Sequence, residues 1–538
     1  MKKLLLFLCM LSSLALFSQE DAWVYFNGKP DSAAFFSNPL SALSQRSLNR
    51  RAAQGIALDF KDAPIHQAYI DQVAAASGIM VMAKSKWLNC VHVRGEAEAI
   101  DALLVLAFVD HIHFANNSLN SRMAVPKTFH PVNKILDTQT VFSYGNSFSQ
   151  IHMLNGDLLH QQDYTGAGKI IAVLDAGFPN VDVLQPFQRL RDNLQILGGY
   201  NYVTKDSLVY TGNTHGTIVL STMGGYKEGE LVGTAPDAKY YLYVTEDITS
   251  ENPVEESNWV EAAESADRIG ADVLTTSLGY FAFDNPTYGH AYSDMTGNSA
   301  FASQGANIAF TRGMVVVASA GNDGEHGQPH VGVPAEANNV LAIGAVDIDR
   351  LYASFSSIGP SFDGRIKPDL MAQGKEISVA DPNTGDITIT SGTSVSGPII
   401  AGMIATFWSA VPGLSNQEVV DFVRQSADKF ANPDNQYGYG IPDFQLALNN
   451  VLLGTQQFLN DTSFIVYPNP AAAKTNVAFP NGIQDAQISF YNTLGQIVAT
   501  QNISGQNAAV SLEALRSGVY LYKIESGTFS QSGKMIIK

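Results

Sequence analysis

The stretch KIIAVLDAG, residues 169–177, is a nearly continuous apolar run that stops at an aspartate and a glycine. A strand that is buried on both faces of a parallel sheet has this pattern, because helices cover both of its faces. Further along the chain, separated by helical segments, the same pattern recurs in KYYLYVTED (239–247), ADVLTTSLG (271–279) and MVVVASAGN (314–322). These runs predict an α/β domain with a parallel sheet and helices on both faces.

The residues on either side of this domain follow other patterns. Residues 19–135 predict a small α+β module, with helices in SALSQRSLNRRAAQG (41–55), HQAYIDQVAAASG (66–78) and EAIDALLVLAFV (98–109) and strands in IMVMA (79–83) and CVHVRG (90–95). Residues 464–538 predict a small all-β sandwich, from alternation in ISFYNTLGQIVA (488–499), AAVSLEAL (508–515), GVYLYKIES (518–526) and KMIIK (534–538).

The chain length also indicates several domains. A chain of 538 residues is too long for one compact core, so about three domains are expected. At the amino terminus, two lysines precede an apolar core and small residues, which predicts a secretory signal peptide. No later stretch reaches the ~18 apolar residues that span a bilayer. The predicted order is a signal peptide (1–18), an α+β module (19–135), an α/β domain (140–455) and a β-sandwich (464–538).

Net charge and cysteine content indicate which binding partners and which covalent cross-links the chain can have. The formal net charge of −18 argues against nucleic acid as a partner, because phosphates would be repelled. The chain has 2 cysteines, and Cys9 lies within the predicted signal peptide. Cys90 is then the only cysteine of the exported chain, which cannot close an internal disulfide. Its stability must come from packing, with bound ions as a further source.

Four polar residues of the α/β domain stand where a strand ends or a helix begins. Asp175 and Asn322 each close an apolar run, and His215 lies in GNTHGTIVLSTMGG. Ser394 lies in SGTSVSGP (391–398), directly before a strongly apolar helix pattern. Each residue alone also fits a turn, a solvated histidine or a helix cap. Because ligands of an open parallel sheet sit beyond the carboxyl ends of its strands, the four together predict one shared site.

The four residue types are those that nucleophilic catalysis requires. Ser394 is the candidate nucleophile, and a serine hydroxyl attacks a carbonyl only when a base removes its proton. His215 is the candidate base, and Asp175 would orient its imidazole and stabilise the imidazolium. The side-chain amide of Asn322 and the backbone N–H of Ser394 would stabilise the oxyanion. The predicted chemistry is acyl transfer through an acyl-enzyme intermediate.

A resemblance to a known family rests on four sequence blocks. These are VLDAGF around Asp175, THGTIV around His215, VVVASAGNDG around Asn322 and SGTSVSGP around Ser394. With these blocks in this order, residues from about 160 to 450 resemble the subtilisin-like serine proteases, or subtilases. The resemblance implies a subtilisin-like fold and a secreted serine endopeptidase that hydrolyses peptide bonds of protein or peptide substrates.

The resemblance also assigns a substrate-binding segment. Ser277, Leu278 and Gly279 are expected to pair with substrate backbone as an edge strand, a mode of binding that tolerates many side-chain sequences. The sequence departs from the family pattern at Ala176, where Thr or Ser is usual, and in SVSGP (394–398). Neither departure removes a reacting group.

Two other functions share part of this pattern. A surface adhesin or binding protein on a catalytically weak subtilase scaffold is the main alternative, but such scaffolds normally lack one of the four residues. An esterase or lipase would carry a G-x-S-x-G elbow and the chain order Ser, Asp, His. Here the order is Asp, His, Ser, so the endopeptidase is the leading hypothesis.

The two outer modules resemble known domains as well. The α+β module resembles the inhibitory propeptides of subtilases, so the chain's own propeptide is an expected partner. The last module resembles the C-terminal sorting domains of the type IX secretion system of Bacteroidetes, on YPNP (467–470), FYNTLGQIV (490–498), LRSGVYLYKIESG (515–527) and KMIIK (534–538). The resemblances imply a zymogen exported through the periplasm to the cell surface or the medium, with secretion machinery as a further partner.

No cofactor is expected for the chemistry itself. Subtilases often bind structural calcium, and the clusters NDGEHG (322–327) and DPNTGD (381–386) contain oxygen ligands. Neither cluster has the ligand spacing of an EF-hand loop. The sequence therefore leaves a calcium site open.

Overall fold

A computed structural model describes residues 19–120, 142–452 and 464–537, apart from gaps at 468–470, 472–473, 480–482, 493–494, 505–507, 513 and 528. The chain forms two compact units, Met1–Ala447 and Leu448–Lys538. The predicted signal peptide lies outside the described residues, as do the predicted boundaries at 135, 140 and 455, which stay predictions. Within the described ranges, no helix is long and apolar enough to cross a membrane.

The amino-terminal module is an antiparallel sheet packed against short helices. In spatial order its strands are Met80–Ser85, Cys90–Glu96, Gln19–Phe26 and Val109–Phe114. Its α-helices are Ser32–Ser37, Gln45–Ala53, Gln67–Ala74 and Ala97–Asp101. Alternate strand residues such as Ala22, Val24, Val91 and Val93 form its core. The α+β prediction is confirmed for this module.

The helix predicted over 98–109 is wrong in its length. The α-helix ends at Asp101, a 3-10 turn covers Ala102–Val105, and the strand Val109–Phe114 follows. Ile100 and Leu103 are buried, whereas Val105 is 85% exposed. Residues 102–109 are an unbroken apolar run without a helical period, so the pattern could not show that Val109 pairs with the strand Gln19–Phe26 and joins the sheet.

The α/β domain is built on a seven-stranded parallel sheet. In spatial order its strands are Leu370–Gln373, Val340–Val346, Val315–Ser319, Val273–Thr276, Ile170–Asp175, Lys239–Val244 and Ile196–Asn201. All four quoted apolar runs are strands of this sheet, which confirms the prediction. Two small antiparallel pairs accompany it, Tyr226–Lys227 with Leu231–Val232 and Ile377–Ala380 with Ile387–Thr390.

Helices cover both faces of this sheet. They are Phe148–His152, Gly156–His160, Gln188–Asp192, His215–Gly224, Val254–Ile269, Phe301–Thr311, Thr393–Ala410 and Asn416–Gln425. The helix Thr393–Ala410 is buried over nearly its whole length and packs on the helix His215–Gly224 and on the central strands. Its apolar surface explains why its sequence has no amphipathic period.

The described residues of the carboxy-terminal unit form two antiparallel sheets. One has four strands, Ile497–Ser504, Asp485–Tyr491, Gly518–Ser526 and Phe529–Ile537. The other has three, Ile465–Tyr467, Lys474–Ala478 and Ala509–Ser511. Residues of both sheets, among them Val477, Ile488, Val510 and Ile524, share one core. This is the predicted small all-β unit.

A substitution at Gly402 tests how closely the helices Thr393–Ala410 and His215–Gly224 pack. A Cβ atom at this position would collide with Thr234 Oγ1 and lie 3.3 Å from Met223 Cγ on the helix His215–Gly224. We expect Gly402→Ala to destabilise the domain by about 1–3 kcal/mol, because overpacking outweighs the better helix propensity of alanine. Urea unfolding of the full chain, followed by tryptophan fluorescence, measures this. Ser409→Ala on the same helix is the control, and equal stability of both variants would contradict the packing argument.

Candidate active site

Asp175 stands at the carboxyl end of a central strand. That strand, Ile170–Asp175, has a parallel neighbour on each side, so its end is held firmly. The Asp175 side chain is fully buried, and its Oδ1 accepts from the Ala176 N–H at 2.8 Å and from His215 Nδ1 at 2.8 Å. A buried carboxylate is costly unless donors surround it, and the imidazole is one of these donors.

His215 is the first residue of the helix His215–Gly224. Asn213 Oδ1 accepts from the His215 backbone N–H at 2.9 Å and fixes the entry into the helix. The imidazole is 33% exposed, so one side meets Asp175 and the other remains accessible. With Nδ1–H donating to the carboxylate, Nε2 is free to accept a proton.

The carboxylate of Asp175 also changes the acidity of His215. Its negative charge raises the pKa of the imidazole above the ordinary histidine value, and the hydrogen bond adds to that shift. Burial acts in the opposite direction and offsets part of it. The pair is therefore arranged to favour an imidazolium once Nε2 has taken up a proton.

Ser394 is the second residue of the helix Thr393–Ala410, behind a glycine with an unusual backbone. Gly392 has φ 154° and ψ 158°, a conformation that residues with a Cβ rarely adopt. A Cβ atom at Gly392 would lie 3.1 Å from Ser394 Oγ, 3.6 Å from Asn322 Nδ2 and 3.7 Å from Ser394 N. The nucleophile candidate and both oxyanion donor candidates therefore surround the same point.

The amide of Asn322 is held in one orientation by the start of this helix. Its Oδ1 accepts from the Thr393 backbone N–H at 2.9 Å and from Thr393 Oγ1 at 3.1 Å. One of the free N–H groups at the helix start is satisfied in this way. Because Oδ1 is occupied by these donors, Nδ2 is the end of the amide that faces the space beside Gly392.

Ser277 connects the expected substrate strand to the candidate nucleophile. Pro398 lies inside the helix and has no N–H, so the usual helical bond to the Ser394 carbonyl is missing. Ser277 Oγ donates to that carbonyl at 2.9 Å and replaces the missing partner. The sequence blocks did not predict this bond, although a proline four residues after a nucleophile is a signal that could have suggested one.

The segment Ser277–Gly279 has free backbone groups. It follows the strand Val273–Thr276, and the chain pairs again where Tyr280 N donates to Val333 O at 2.8 Å. Within residues 142–452, no hydrogen bond to another protein group is formed by the peptide groups of Ser277, Leu278 or Gly279. The segment therefore has the geometry of an unpaired edge.

A second carboxyl group near Asp175 was missed by the sequence reasoning. Glu246 follows the strand Lys239–Val244 and accepts from Thr245 Oγ1 and Tyr280 OH, both at 2.7 Å. Burial raises the pKa of Glu246 to about 7, and the negative charge of Asp175 contributes to the rise. Glutamate is common at strand ends, so the sequence offered no signal for this residue.

The structure thus brings the predicted residues together in two groups. Asp175 and His215 form one, and Asn322, Ser394 and Ser277 form the other. Within residues 142–452, which are described without a gap, the imidazole of His215 binds Asp175 and its backbone N–H donates to Asn213, and no hydrogen bond joins the imidazole to Ser394 Oγ. The described residues contain no group of three or more His, Cys, Asp or Glu that could hold a metal ion.

Comparison with known proteins identifies the family to which this arrangement of residues belongs. The model of the subtilase family of peptidases matches residues 166–440, which include all four site residues. The chain belongs to the subtilase family. It is 29% identical over 299 residues to subtilisin DY of Bacillus licheniformis, covering 55% of this chain and 97% of that protein. It is 31% identical over 301 residues to subtilisin NAT of Bacillus subtilis subsp. natto, covering 55% and 70%.

Membership of this family makes the chain a serine-type endopeptidase of the subtilisin type. A crystal structure of the epidermin leader peptide processing serine protease from Staphylococcus aureus shares the fold, with a TM-score of 0.52 and 17% identity. That match covers 81% of this chain and 99% of the other. The predicted subtilisin-like fold is confirmed.

The outer modules match families too. Residues 21–130 match the peptidase S8 propeptide domain of Bacteroidota, and residues 465–538 match a secretion system C-terminal sorting domain. The resemblances drawn for both modules are confirmed. The subtilase is therefore a zymogen with a sorting domain that indicates export, to the cell surface or to the medium.

A substitution at Gly392 tests whether the space beside Ser394 Oγ and Asn322 Nδ2 has to stay free. We expect Gly392→Ala to lower kcat about 100-fold or more, because the new methyl group occupies the space that three polar groups surround. Hydrolysis of a chromogenic peptide measures the change, and thermal unfolding checks that the fold persists. Gly364→Ala is a matched control: Gly364 also has positive φ (84°) but has open space around its Cβ position. A fully active Gly392→Ala subtilase would refute this assignment.

Proposed function

We propose that Asp175, His215 and Ser394 act as a catalytic triad, with Asn322 and the Ser394 N–H as the oxyanion hole. The subtilase would then be a secreted endopeptidase that works through an acyl-enzyme. The observation that carries the proposal is the 2.8 Å bond from His215 Nδ1 to the buried Asp175. It is supported by the convergence of Ser394 Oγ and Asn322 Nδ2 beside Gly392.

The first step transfers a proton and forms a bond. Ser394 Oγ attacks the scissile carbonyl carbon while His215 Nε2 takes the hydroxyl proton. The imidazolium that forms donates through Nδ1 to Asp175, whose negative charge stabilises it. No hydrogen bond joins His215 and Ser394 Oγ in the structure, and catalytic hydrogen bonds of this kind often tighten only when substrate binds.

The negative charge of the tetrahedral intermediate forms on the former carbonyl oxygen. Asn322 Nδ2 and the Ser394 backbone N–H donate to this oxygen, and the helix Thr393–Ala410 directs its positive end toward it. Removal of one such side-chain donor costs about 3–4 kcal/mol of transition-state stabilisation, a magnitude known from a subtilisin. The bonds from Thr393 to Asn322 Oδ1 keep that donor in place before substrate arrives.

Breakdown of the intermediate releases the first product. His215 returns its proton to the leaving amine nitrogen, the C–N bond breaks, and Ser394 Oγ carries the acyl group. A water molecule then attacks the ester carbonyl with His215 as base, and proton return to Ser394 Oγ releases the carboxylic acid. These steps use side chains and peptide groups alone, so we expect the chemistry itself to need no cofactor. The structural calcium site that the sequence left open takes no part in them.

Substrate would bind as an extended strand. The free peptide groups of Ser277, Leu278 and Gly279 are suited to backbone pairing with a peptide, which gives affinity without a strict side-chain sequence. Export would begin with removal of the signal peptide at 1–18 and continue through type IX secretion. The propeptide would occupy the enzyme until it is cut off.

Chemical labelling tests the catalytic proposal. We expect a fluorophosphonate to label Ser394 of the matured subtilase, and casein to be hydrolysed. Ser394→Ala should abolish both and leave the propeptide attached in the full chain, since the nucleophile is missing. Labelled-peptide mass spectrometry and gel analysis give the readouts. Absence of Ser394 labelling in matured protein would refute the triad, and casein binding without hydrolysis would favour the adhesin.

The pH dependence tests the role of Asp175. Because Asp175 raises the pKa of His215, kcat/KM should fall on acidification through a pKa above the ordinary histidine value of about 6.5. Asp175→Asn should move this acid limb to lower pH, besides lowering the rate, since the charge that favours the imidazolium is gone. Glu246→Gln is the control, because Glu246 also titrates near neutral pH. A limb that follows Glu246 instead would contradict the assignment.

A further inference from the structure

The position of the segment Ser277–Gly279, the proposed substrate segment, depends on the residues at its two ends. Within residues 142–452, its own peptide groups bond to no other protein group. At its first end, Ser277 Oγ donates to the Ser394 carbonyl at 2.9 Å. At its other end, Tyr280 follows directly and is only 2% exposed. The contacts of Tyr280 therefore decide how firmly the far end of the substrate segment is held.

Tyr280 is fixed through its backbone and through its hydroxyl group. Its backbone N–H donates to the Val333 carbonyl at 2.8 Å, in an isolated antiparallel bridge. Its phenolic O–H donates to Glu246 Oε1 at 2.7 Å. A hydroxyl group that donates to a carboxyl oxygen away from water forms a strong hydrogen bond. The far end of the substrate segment is thus tied to Glu246.

Glu246 is a rigid acceptor because the residue before it joins the central sheet. The Thr245 N–H donates to the Asp175 carbonyl at 3.1 Å, which continues the pairing between the strand Lys239–Val244 and the strand that ends at Asp175. Thr245 Oγ1 donates to Glu246 Oε1 at 2.7 Å and orients the carboxyl group. The oxygen that accepts from Tyr280 is therefore held beside the strand end that carries Asp175.

The chain that follows Glu246 is closed into a loop by one buried side chain. Glu255 is only 1% exposed. Its two carboxyl oxygens accept from the backbone N–H groups of Asp247 at 2.9 Å and of Asn252 at 3.0 Å. Both ends of the loop Asp247–Asn252 are fixed in this way, so the backbone on either side of Glu246 has a defined position.

A second contact joins this loop to the chain that follows the substrate segment. The Asp284 N–H donates to the Glu251 carbonyl at 3.0 Å, and the Glu251 N–H donates to Asp284 Oδ2 at 3.1 Å. Glu251 belongs to the loop Asp247–Asn252, and Asp284 lies shortly after Tyr280 in the sequence. The two parts of the chain are therefore joined at two points, of which the Tyr280–Glu246 bond is the one next to the substrate segment.

We propose that Tyr280 and Glu246 are positioning residues that align the end of the substrate segment with the strand of Asp175. Ser277 ties the start of the segment to Ser394, so the two ends connect the two groups of site residues. A peptide that pairs with the whole segment then meets peptide groups that are already in place, and less conformational entropy is lost on binding. Neither side chain acts on the reacting atoms. The role in substrate binding rests on the proposed function, whereas the alignment of the segment does not.

The size of the effect depends on how far a substrate extends along the segment. The segment begins beside the candidate nucleophile Ser394, and Gly279 lies up to about 7 Å further along the extended chain. A tetrapeptide is long enough to pair with both ends of the segment. An ester of a single amino acid reaches only its beginning. A fault at the Tyr280 end should therefore affect the tetrapeptide and spare the ester.

Kinetics with a long and a short substrate test this role. For the matured subtilase, kcat/KM is measured with a chromogenic tetrapeptide amide and with an ester of one blocked amino acid. Tyr280→Phe removes the hydroxyl group alone and should lower kcat/KM for the tetrapeptide about 10-fold, mainly through a higher KM. The ester should change less than about 3-fold. Glu246→Ala should have the same effect, and the double variant should lose little more, since both changes remove one bond.

Two further variants separate positioning from a general loss of stability. Tyr240→Phe is the matched control, because Tyr240 is also buried and its hydroxyl group donates to the Ala235 carbonyl at 2.7 Å. Tyr240 lies near the start of its strand, at the opposite end of the sheet from the site, and its loss should leave the ratio of tetrapeptide to ester hydrolysis unchanged. Glu246→Gln keeps a carbonyl oxygen for Tyr280 and should restore that ratio to within about 3-fold of the native value.

Hydrogen exchange measures the alignment apart from catalysis. In the full-length Ser394→Ala chain, Tyr280→Phe should speed amide exchange in residues 280–284 about 10-fold, because the bonds of Tyr280 N and Asp284 N open more often. This result does not depend on the triad, whereas absence of Ser394 labelling would refute the catalytic proposal alone. Unchanged exchange, or equal loss of tetrapeptide and ester hydrolysis, would overturn the roles of Tyr280 and Glu246. If Tyr280→Phe does not fold, the same measurements on Glu246→Ala decide.

Discussion

The hydrogen bond between His215 and Asp175 is the constraint on which the rest of this subtilase depends. Asp175 lies at the end of a strand that is paired on both sides, so the backbone that carries this carboxylate is fixed. The imidazole can reach the carboxylate only because the helix His215–Gly224 begins beside Asp175. The helix Thr393–Ala410 packs on the first and thereby brings Ser394 to the same edge of the sheet. The starting points of both helices thus meet at one buried carboxylate.

Much of the α/β domain could be predicted because its signals are local. A strand buried on both faces is apolar along its length, and each quoted run is a strand of the central sheet. The run at 98–109 shows the limit of that signal. It is equally apolar, yet it divides into a short helix, a turn and the start of a strand. Which part joins the sheet is decided by pairing with Gln19–Phe26, far away in sequence, and no local pattern records that pairing.

The site was predictable to the extent that its residues sit in contiguous blocks. The supporting contacts were not, because each joins groups that look ordinary in their own segment. Thr393 holds the Asn322 amide, and Glu246 lies near Asp175 among strand-end residues of common type. The same holds for Arg51 and Asp267, which stand 216 residues apart in helices of unremarkable composition. Only the folded chain shows that they neutralise each other.

Pro398 has a consequence for the link between the proposed substrate segment and the proposed nucleophile. Its missing N–H leaves the Ser394 carbonyl to the hydroxyl of Ser277, which begins the segment suited to receive a peptide. If Ser394 attacks as proposed, a displacement of that segment would be transmitted to its backbone through this hydrogen bond. A poorly seated peptide would then disturb the orientation of the serine hydroxyl, whereas a well seated peptide would preserve it. Selectivity for the substrate main chain would depend on this linkage.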